Sequence, residues 1–309
     1  MSKLLLVDGS ALLHRAYHAY PPLTTKTGEI VGAVYGVASI LVSALESEKP
    51  THVMVAWDLP KPTFRHEKYV GYKAQRPKAD AEMVEQIPLV KQVIERMGIV
   101  QVAEEGYEAD DIIGTLSKLS TNQQTNETTE VVILTGDQDT MQLVTDHVRV
   151  LTPAKGANPP VLYGPDEVWN KYGVHPEQIV DYKALVGDQS DNIPGVAGIG
   201  PTTAAKLLQQ YGSLQAIYEA VNSKSQMINP KWVEKLVSGK DSAFLSQDLS
   251  RIVTDMPLKV TLPEMEYKDL KTEVLRNELE ELGFKSLIRR IWGEEAKKPK
   301  VPDNQMGLF

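Results

Sequence analysis

Three short runs of apolar residues interrupt the first half of the chain: KLLLVD at 3–8, HVMVAWD at 52–58 and EVVILTGDQD at 130–139. They are rich in Val, Ile and Leu and lack polar alternation, which fits strands buried on both faces, as parallel sheets require. Between them the period lengthens. Residues 33–46 and 82–97 read as helices, and Ile112, Ile113 and Leu116 form the apolar face of another after Asp111. Alternating β and α signals predict an open α/β sheet. After Val150 the pattern changes: PAKGANPPVLYGP is a Pro- and Gly-rich connection, and the remainder reads as helices joined by polar turns, the last strongly periodic element covering 270–291. Beyond Trp292 the composition is that of a flexible tail.

Each of the three runs ends in aspartate. In open α/β sheets ligands sit beyond the carboxyl ends of the strands, so Asp8, Asp58 and Asp137 are expected on one rim, with Asp139 two residues further on. One such aspartate is ordinary turn chemistry; three on separate strands predict a shared site. In GYEADDIIGTL, Glu108, Asp110 and Asp111 crowd together just before a helix. Carboxylates there are favoured by free N–H groups and the helix dipole, so this cluster taken alone reads first as a helix start. Asp188 and Asp191, three apart, are expected on one side of a helical turn. Nine carboxylates on one rim would repel one another without cations, and all-oxygen ligand sets favour hard divalent ions such as Mg²⁺ or Mn²⁺. Two such ions a few ångströms apart activate a water and stabilise the leaving oxygen of an in-line displacement at phosphorus.

The 309 residues, 42% hydrophobic, suffice for one large or two ordinary domains. Cysteine is absent, which excludes disulfides and thiolate metal sites and suits a reducing cytoplasm. The start MSKLLLVDGS has too short an apolar run for a signal peptide, and the longest uncharged stretch, 30–45, falls short of a membrane span; it is expected to be a buried helix. The net charge of −8 argues at first against a polyanionic partner. Setting the nine carboxylates aside from the 41 acids leaves 32 against 33 basic residues, so the conflict disappears. Between 61 and 80 six Lys or Arg stand against two acids, and Phe64, Tyr69 and Tyr72 are interleaved with them. That mixture suits unpaired bases and their backbone, although a solvated helix face explains most of the individual cations. Gly195, Gly198 and Gly200 in GVAGIGPTTAAKLL let backbone come close to an anion at the start of the following helix, as they would in a simple tight connection.

The motifs LLLVDGSALLHRAYHA, YKAQRP, EADDIIGTL, TGDQDTMQLV and VGDQSDNIPGVAGIGPTTAAKLL resemble, in order over residues 1–292, the 5′-nuclease domain of bacterial DNA polymerase I within the flap endonuclease superfamily. The resemblance implies a PIN-like, mostly parallel α/β domain over 1–180 with a helical arch around 61–90, a helical helix-three-turn-helix unit over 181–292 that holds duplex DNA, and a tail over 293–309. It implies 5′-flap endonuclease and 5′–3′ exonuclease action with two or three Mg²⁺ or Mn²⁺ ions, on flapped DNA and RNA–DNA primer junctions, in primer removal and repair. Asp8, Asp58, Glu108, Asp110, Asp111, Asp137, Asp139, Asp188 and Asp191 fall at the metal-ligand positions. Arg15, Lys73 and Arg76 match basic residues that steer and polarise the scissile phosphate, and Tyr72 matches one that stacks on the substrate. Gly195, Gly198 and Gly200, with Thr202 and Lys206 of the helix they open, match the grip on duplex backbone, where a monovalent cation such as K⁺ sits on carbonyls. A cytoplasmic monomer is expected. Two features depart from the pattern: Gln138 occupies a usually basic position in GDQD, and no polymerase follows within the chain, which is either free-standing or a piece of a longer protein. The terminal QMGLF resembles a sliding-clamp docking peptide, with Gln305, Leu308 and Phe309 as its anchors.

Overall fold

Strand β1 (Lys3–Asp8) is buried from Leu4 onward and lies between β2 (His52–Ala56) and β4 (Glu130–Leu134), parallel to both. The computed structural model describes residues 2–20, 23–121, 129–154, 156–223 and 229–293. The three central strands are the three apolar runs. They are covered on both faces, which is why they lack alternation. β3 (Val100–Val102), β5 (Val148–Thr152) and β6 (Val161–Tyr163) complete the sheet in the order β3-β2-β1-β4-β5-β6, with only the β5–β6 pair antiparallel. These three went unread as strands: β3 and β6 have three residues each, and β5 carries the exposed Arg149.

Successive strand residues point to opposite faces. Leu5, Val7, Val53 and Val55 enter one apolar core with α1 (Gly9–Ala19), α2 (Gly32–Glu48) and α5 (Ile87–Arg96); Leu4, Leu6, Met54 and Ile133 enter a second core with α6 (Ala109–Ser120) and the helices that follow. The uncharged stretch is the buried helix α2. The single helix expected over 82–97 is two, α4 (Ala81–Glu85) and α5, because Pro88 lies in the first turn of α5, where no intrahelical N–H is lost. No helix among the described residues is long and apolar enough to cross a membrane.

The segment 57–80 leaves the tip of β2, forms the short helix α3 (Phe64–Lys68) and returns to α4. From 165 onward come α7 (Pro165–Tyr172), α8 (Ile179–Val186), α9 (Pro201–Tyr211), α10 (Leu214–Asn222), α11 (Pro230–Ser238) and α12 (Lys240–Ser250), stacked on the second core. The periodic stretch 270–291 is broken at Gly283, whose φ of +74° permits the turn between α13 (Glu273–Glu281) and α14 (Lys285–Trp292). Sequence order placed these two helices with the helical unit. They instead return to the first core, where Leu275, Leu279 and Ile288 join Leu41, Val90 and Met97. Leu279 has no exposed surface. Leu279→Ala is expected to cost about 2–5 kcal/mol in urea unfolding; a loss under about 0.5 kcal/mol would separate α13 and α14 from the core.

Candidate active site

The strand order reverses direction between β1 and β4, and the crevice outside the carboxyl ends of two such strands is the natural ligand site of a doubly wound sheet. Asp8 is the last residue of β1, and Asp137 follows β4 by three positions. A cavity of about 900 Å³ opens there, lined by Asp8, Asp58, Glu108, Asp110 and Asp137 together with Arg15, Lys73 and Arg76. Five of the nine expected acids therefore share one space.

Asp8, Asp58 and Glu108 are held by groups far away in sequence, and Asp137 by its own turn. Asp8 caps α1 through the Ala11 amide (2.9 Å) and accepts from the fully buried Thr135 hydroxyl (2.8 Å). Asp58 accepts from the Ala109 amide (2.8 Å), at the start of α6. Asp137 donates its amide to Thr135 and accepts the Asp139 amide (2.9 Å). Glu108, the N-cap of α6, accepts from the Tyr72 hydroxyl (3.1 Å) and the Lys73 ammonium (2.9 Å). Lys73 has φ +53°, and its amide is fixed on the Asp191 carbonyl; left-handed backbone at a non-glycine residue clusters at functional sites.

The electrostatics carry the mark of crowding. Burial and then the charge of Asp58 push the Asp8 carboxyl up to about 7. Asp110 is raised well above the usual range by burial, then by Asp137, Asp8, Asp58 and Glu108. Asp137 is also raised, burial outweighing the relief supplied by Lys183. Glu108, Asp111, Asp139, Asp188 and Asp191 are paired with cations. Lys183 of α8 bridges Asp139 and Asp188, and it depresses Asp188 to about 2 against the burial that would raise it. Asp191 accepts from Arg76 (2.5 Å) and Tyr72 (3.2 Å).

Three expectations are corrected. Asp111 is not placed as a metal ligand: it has no exposed surface, and its two oxygens take both guanidinium ends of Arg65 at 2.8 Å and the amides of Glu108 and Val253. Tyr72 does not offer its ring for stacking, since it is buried against Ile193 and Leu249 with its hydroxyl on Glu108 and Asp191. Asp188 and Asp191 do not share a helical face. They lie in a turn closed by a bridge between Asp188 and Ile193, where Asp188 takes Lys183 and Asp191 takes Arg76, with the Ser190 hydroxyl between the two carboxylates.

Arg15 sits in the cavity wall, but its guanidinium donates to the Pro153 carbonyl (2.8 Å) and to that of Ala154. Gln138 is exposed and accepts from the Tyr172 hydroxyl. In the glycine-rich turn, Gly195 has φ +64° and packs so close to Gly187 that a Cβ would lie 2.4 Å from its nitrogen. The Gly198 carbonyl takes the Lys235 ammonium (2.9 Å). Gly200 is the N-cap of α9, on which Thr202 and Lys206 are exposed. Gln305, Leu308 and Phe309 lie outside the described residues. Sequence reading missed Arg65, Thr135, Lys183, His14 and His18. The two histidines line the cavity at a four-residue spacing on α1, and that spacing is the only signal that marked them.

Divalent cations fit this donor set. The Asp110 Oδ1 is buried with no hydrogen-bond partner and is surrounded by like charge, a state a cation relieves and hydrogen bonding has not. No three acids or histidines among the described residues stand in a finished cage, since Lys73, Arg76 and Lys183 draw Glu108, Asp191, Asp139 and Asp188 to themselves.

Fold and site together define a doubly wound α/β protein with an acid-lined crevice at its switch point and an appended helical unit. Comparison with known proteins narrows the class. The chain belongs to the 5′-3′ exonuclease family: the model of its N-terminal resolvase-like domain matches residues 3–173, and that of its C-terminal SAM fold matches 174–273. DNA polymerase I of Bacillus subtilis is 42% identical over 96% of this chain, and that of Caldicellulosiruptor bescii 43% over 94%. The chain spans about a third of the length of these curated relatives, 33% of each. In fold it is similar to phage T5 5′-exonuclease with bound zinc (TM-score 0.64, 22% identity, 91% of this chain and 98% of that one). It is similar also to the catalytic core of Rad2 in complex with DNA substrate (TM-score 0.57, 16% identity, 94% and 91%).

A carboxyl whose pKa is raised by folding binds its proton more tightly in the folded chain. Its stabilisation is present in acid and lost as pH climbs from about 4 through about 7, the Asp8 interval. The metal-free protein is therefore expected to lose melting temperature across that interval, and Mg²⁺ to restore more of it near pH ~8 than near pH ~5. Thermal melts with EDTA and with Mg²⁺ measure this; an equal Mg²⁺ response at both pH values would contradict it.

Proposed function

We propose that the chain hydrolyses DNA phosphodiesters as a metal-dependent 5′-flap endonuclease and 5′–3′ exonuclease. The observation that carries this reading is one cavity in which Asp8, Asp58, Glu108, Asp110 and Asp137 meet Lys73 and Arg76, with the Asp110 Oδ1 orphaned among them. Those five acids would hold Mg²⁺ or Mn²⁺, with Asp139, Asp188 and Asp191 as further ligands for a second or third ion. Bound divalent ions supply an activated water and stabilise the leaving oxygen.

The chain's own cations complete the chemistry. Lys73 lines the cavity 2.9 Å from Glu108 on a backbone held by Asp191, so its ammonium would stand beside a phosphoryl group bound there and stabilise the charge that develops on it. Arg76 supplies a planar donor fork beside it. Away from the cavity, the start of α9 with Gly200, Thr202 and Lys206 presents an exposed helix N-terminus and a cation, which suits duplex backbone without reading bases. A monovalent ion such as K⁺ at this turn would use carbonyls other than those of Gly195 and Gly198, which Ser242 and Lys235 already engage. Binding of QMGLF to a sliding clamp would tether the chain at nicked DNA.

The test is cleavage of a 5′-labelled flap duplex with Mg²⁺ and with a chelator, beside a small phosphate ester as control. Metal-dependent release of the flap, with the ester untouched, is expected. Asp137→Ala should bring cleavage below detection with flap affinity held within about threefold, and Lys73→Ala should lower turnover about 10²–10³-fold. Binding without cutting under any divalent ion would leave a branched-DNA recognition module.

A further inference from the structure

Arg65 is 3% exposed, although it lies in the basic segment that sequence reading assigned to the surface. Its guanidinium stands over the Phe64 ring, 4.5 Å from the centroid. Nη1 and Nη2 each donate to one oxygen of Asp111 at 2.8 Å, Nη2 also donates to the Arg251 carbonyl (2.8 Å), and Nε donates to the Leu249 carbonyl (3.0 Å). Burial opposes the charge, but the Asp111 bonds outweigh it and hold the guanidinium above its ordinary pKa. One side chain thus joins three segments distant in sequence: α3, the first turn of α6, and the exit from α12.

Asp111 passes this constraint on to the cavity. The Asp111 Oδ2 that receives Arg65 also receives the Glu108 amide (3.0 Å), and Oδ1 receives the Val253 amide (2.9 Å). Arg65 Nη1 stands 3.7 Å from the Glu108 carboxylate itself. Segment 252–253 lies flat on α6: a Cβ on Gly114 would meet Ile252 at 2.5 Å and the Val253 carbonyl at 3.0 Å. The backbone and the carboxylate of Glu108 are therefore both referenced to one guanidinium. Stability alone is a poor reason to keep such a pair, since well-packed apolar residues commonly do as well as a buried ion pair. What apolar residues cannot supply is direction.

We propose that Arg65 is a positioning residue of the active site: acting through Asp111, it sets Glu108 for divalent-ion binding and couples that setting to the base of the basic segment. The proposal rests on the nuclease reading above. Arg65 touches neither the substrate nor the ions.

The experiment uses the full chain, with Mn²⁺ titrated by electron paramagnetic resonance in the absence of DNA, and with kcat and KM for flap cleavage measured separately. Arg65→Lys, Arg65→Met, Asp111→Asn and the double variant Arg65→Met/Asp111→Asn are compared, with circular dichroism to establish folding. Lys at 65 keeps the charge but cannot bond both Asp111 oxygens and two carbonyls, so this variant remains informative if the Met variant fails to fold. In Arg65→Lys and Asp111→Asn alike, Mn²⁺ affinity is expected to fall about 10–100-fold and kcat with it, flap KM staying within about threefold. The double variant should be no worse than Asp111→Asn alone, because both act through one pair. Mn²⁺ affinity at the wild-type value in both single variants would overturn the proposal. So would loss of an ion in Asp111→Asn with full affinity in the Arg65 variants, which would make Asp111 a ligand. Wild-type protein that neither binds Mn²⁺ nor cuts would overturn the nuclease reading together with this proposal, an outcome distinct from active wild-type protein with unaltered variants.

Discussion

Mutual repulsion among carboxylates at the carboxyl rim of the sheet is the constraint to which the rest of the structure answers. Asp8, Asp58, Glu108, Asp110 and Asp137 line one cavity, and at the low effective dielectric of a partly buried site each close pair of charges costs several times what it would in water. The protein relieves this in two ways. Helices α1 and α6 start at the cavity, and their first-turn amides bond Asp8 and Asp58, so the positive ends of two helix dipoles face the acids. Cations from two segments, Lys73 and Arg76 between α3 and α4 and Lys183 of α8, neutralise the acids on its border. What is left over appears as raised carboxyl pKa values and as the unpartnered Asp110 oxygen, the remainder that a divalent cation would take up.

This removes the choice between a helix start and a site in GYEADDIIGTL. Glu108 is the N-cap of α6 and also faces the cavity, while Asp111 accepts the Glu108 amide in the capping box. The two functions use the same geometry, because a free helix N-terminus is both a stop for the chain and a patch of positive potential. Within four residues the roles nevertheless divide: Asp110 faces the cavity and Asp111 faces Arg65, as successive side chains about 100° apart on a helix must.

The legible parts of this molecule were those encoded locally. Buried central strands announce themselves as β1, β2 and β4 do, since nothing polar can be placed on either face, and an aspartate at each exit marks the rim. Edge strands of three residues and the alternating β5 leave no such trace. The misreadings share one cause, a partner far away in sequence. The resemblance makes Asp111 a metal ligand, and only the fold reveals its partner Arg65, 46 positions earlier. The resemblance makes Tyr72 a stacking ring, and only the fold reveals the wall of Ile193 and Leu249 that buries it. Helices α13 and α14 were grouped with their neighbours in sequence, although their apolar faces match α2 and α5. Periodicity reports which face of an element is buried but is silent about what covers it.

The pairing of acids with bases also bears on how an acidic chain can hold a polyanion. Five of the six cations between 61 and 80 are already paired: Lys61 with Glu105, Arg65 with Asp111, Lys68 with Asp248, and Lys73 and Arg76 with Glu108 and Asp191. Lys73 and Arg76 keep further N–H donors for a phosphate, but their charge is already shared with Glu108 and Asp191. A phosphate at this cavity would therefore meet those carboxylates too, a repulsion that offsets the new contact unless another cation neutralises the acids. On the proposed nuclease reading, a phosphate substrate and divalent ions would favour each other's arrival at this cavity, and by linkage the preference would be reciprocal. The acids that give the chain its net negative charge would then be the groups through which it accepts a negatively charged ligand.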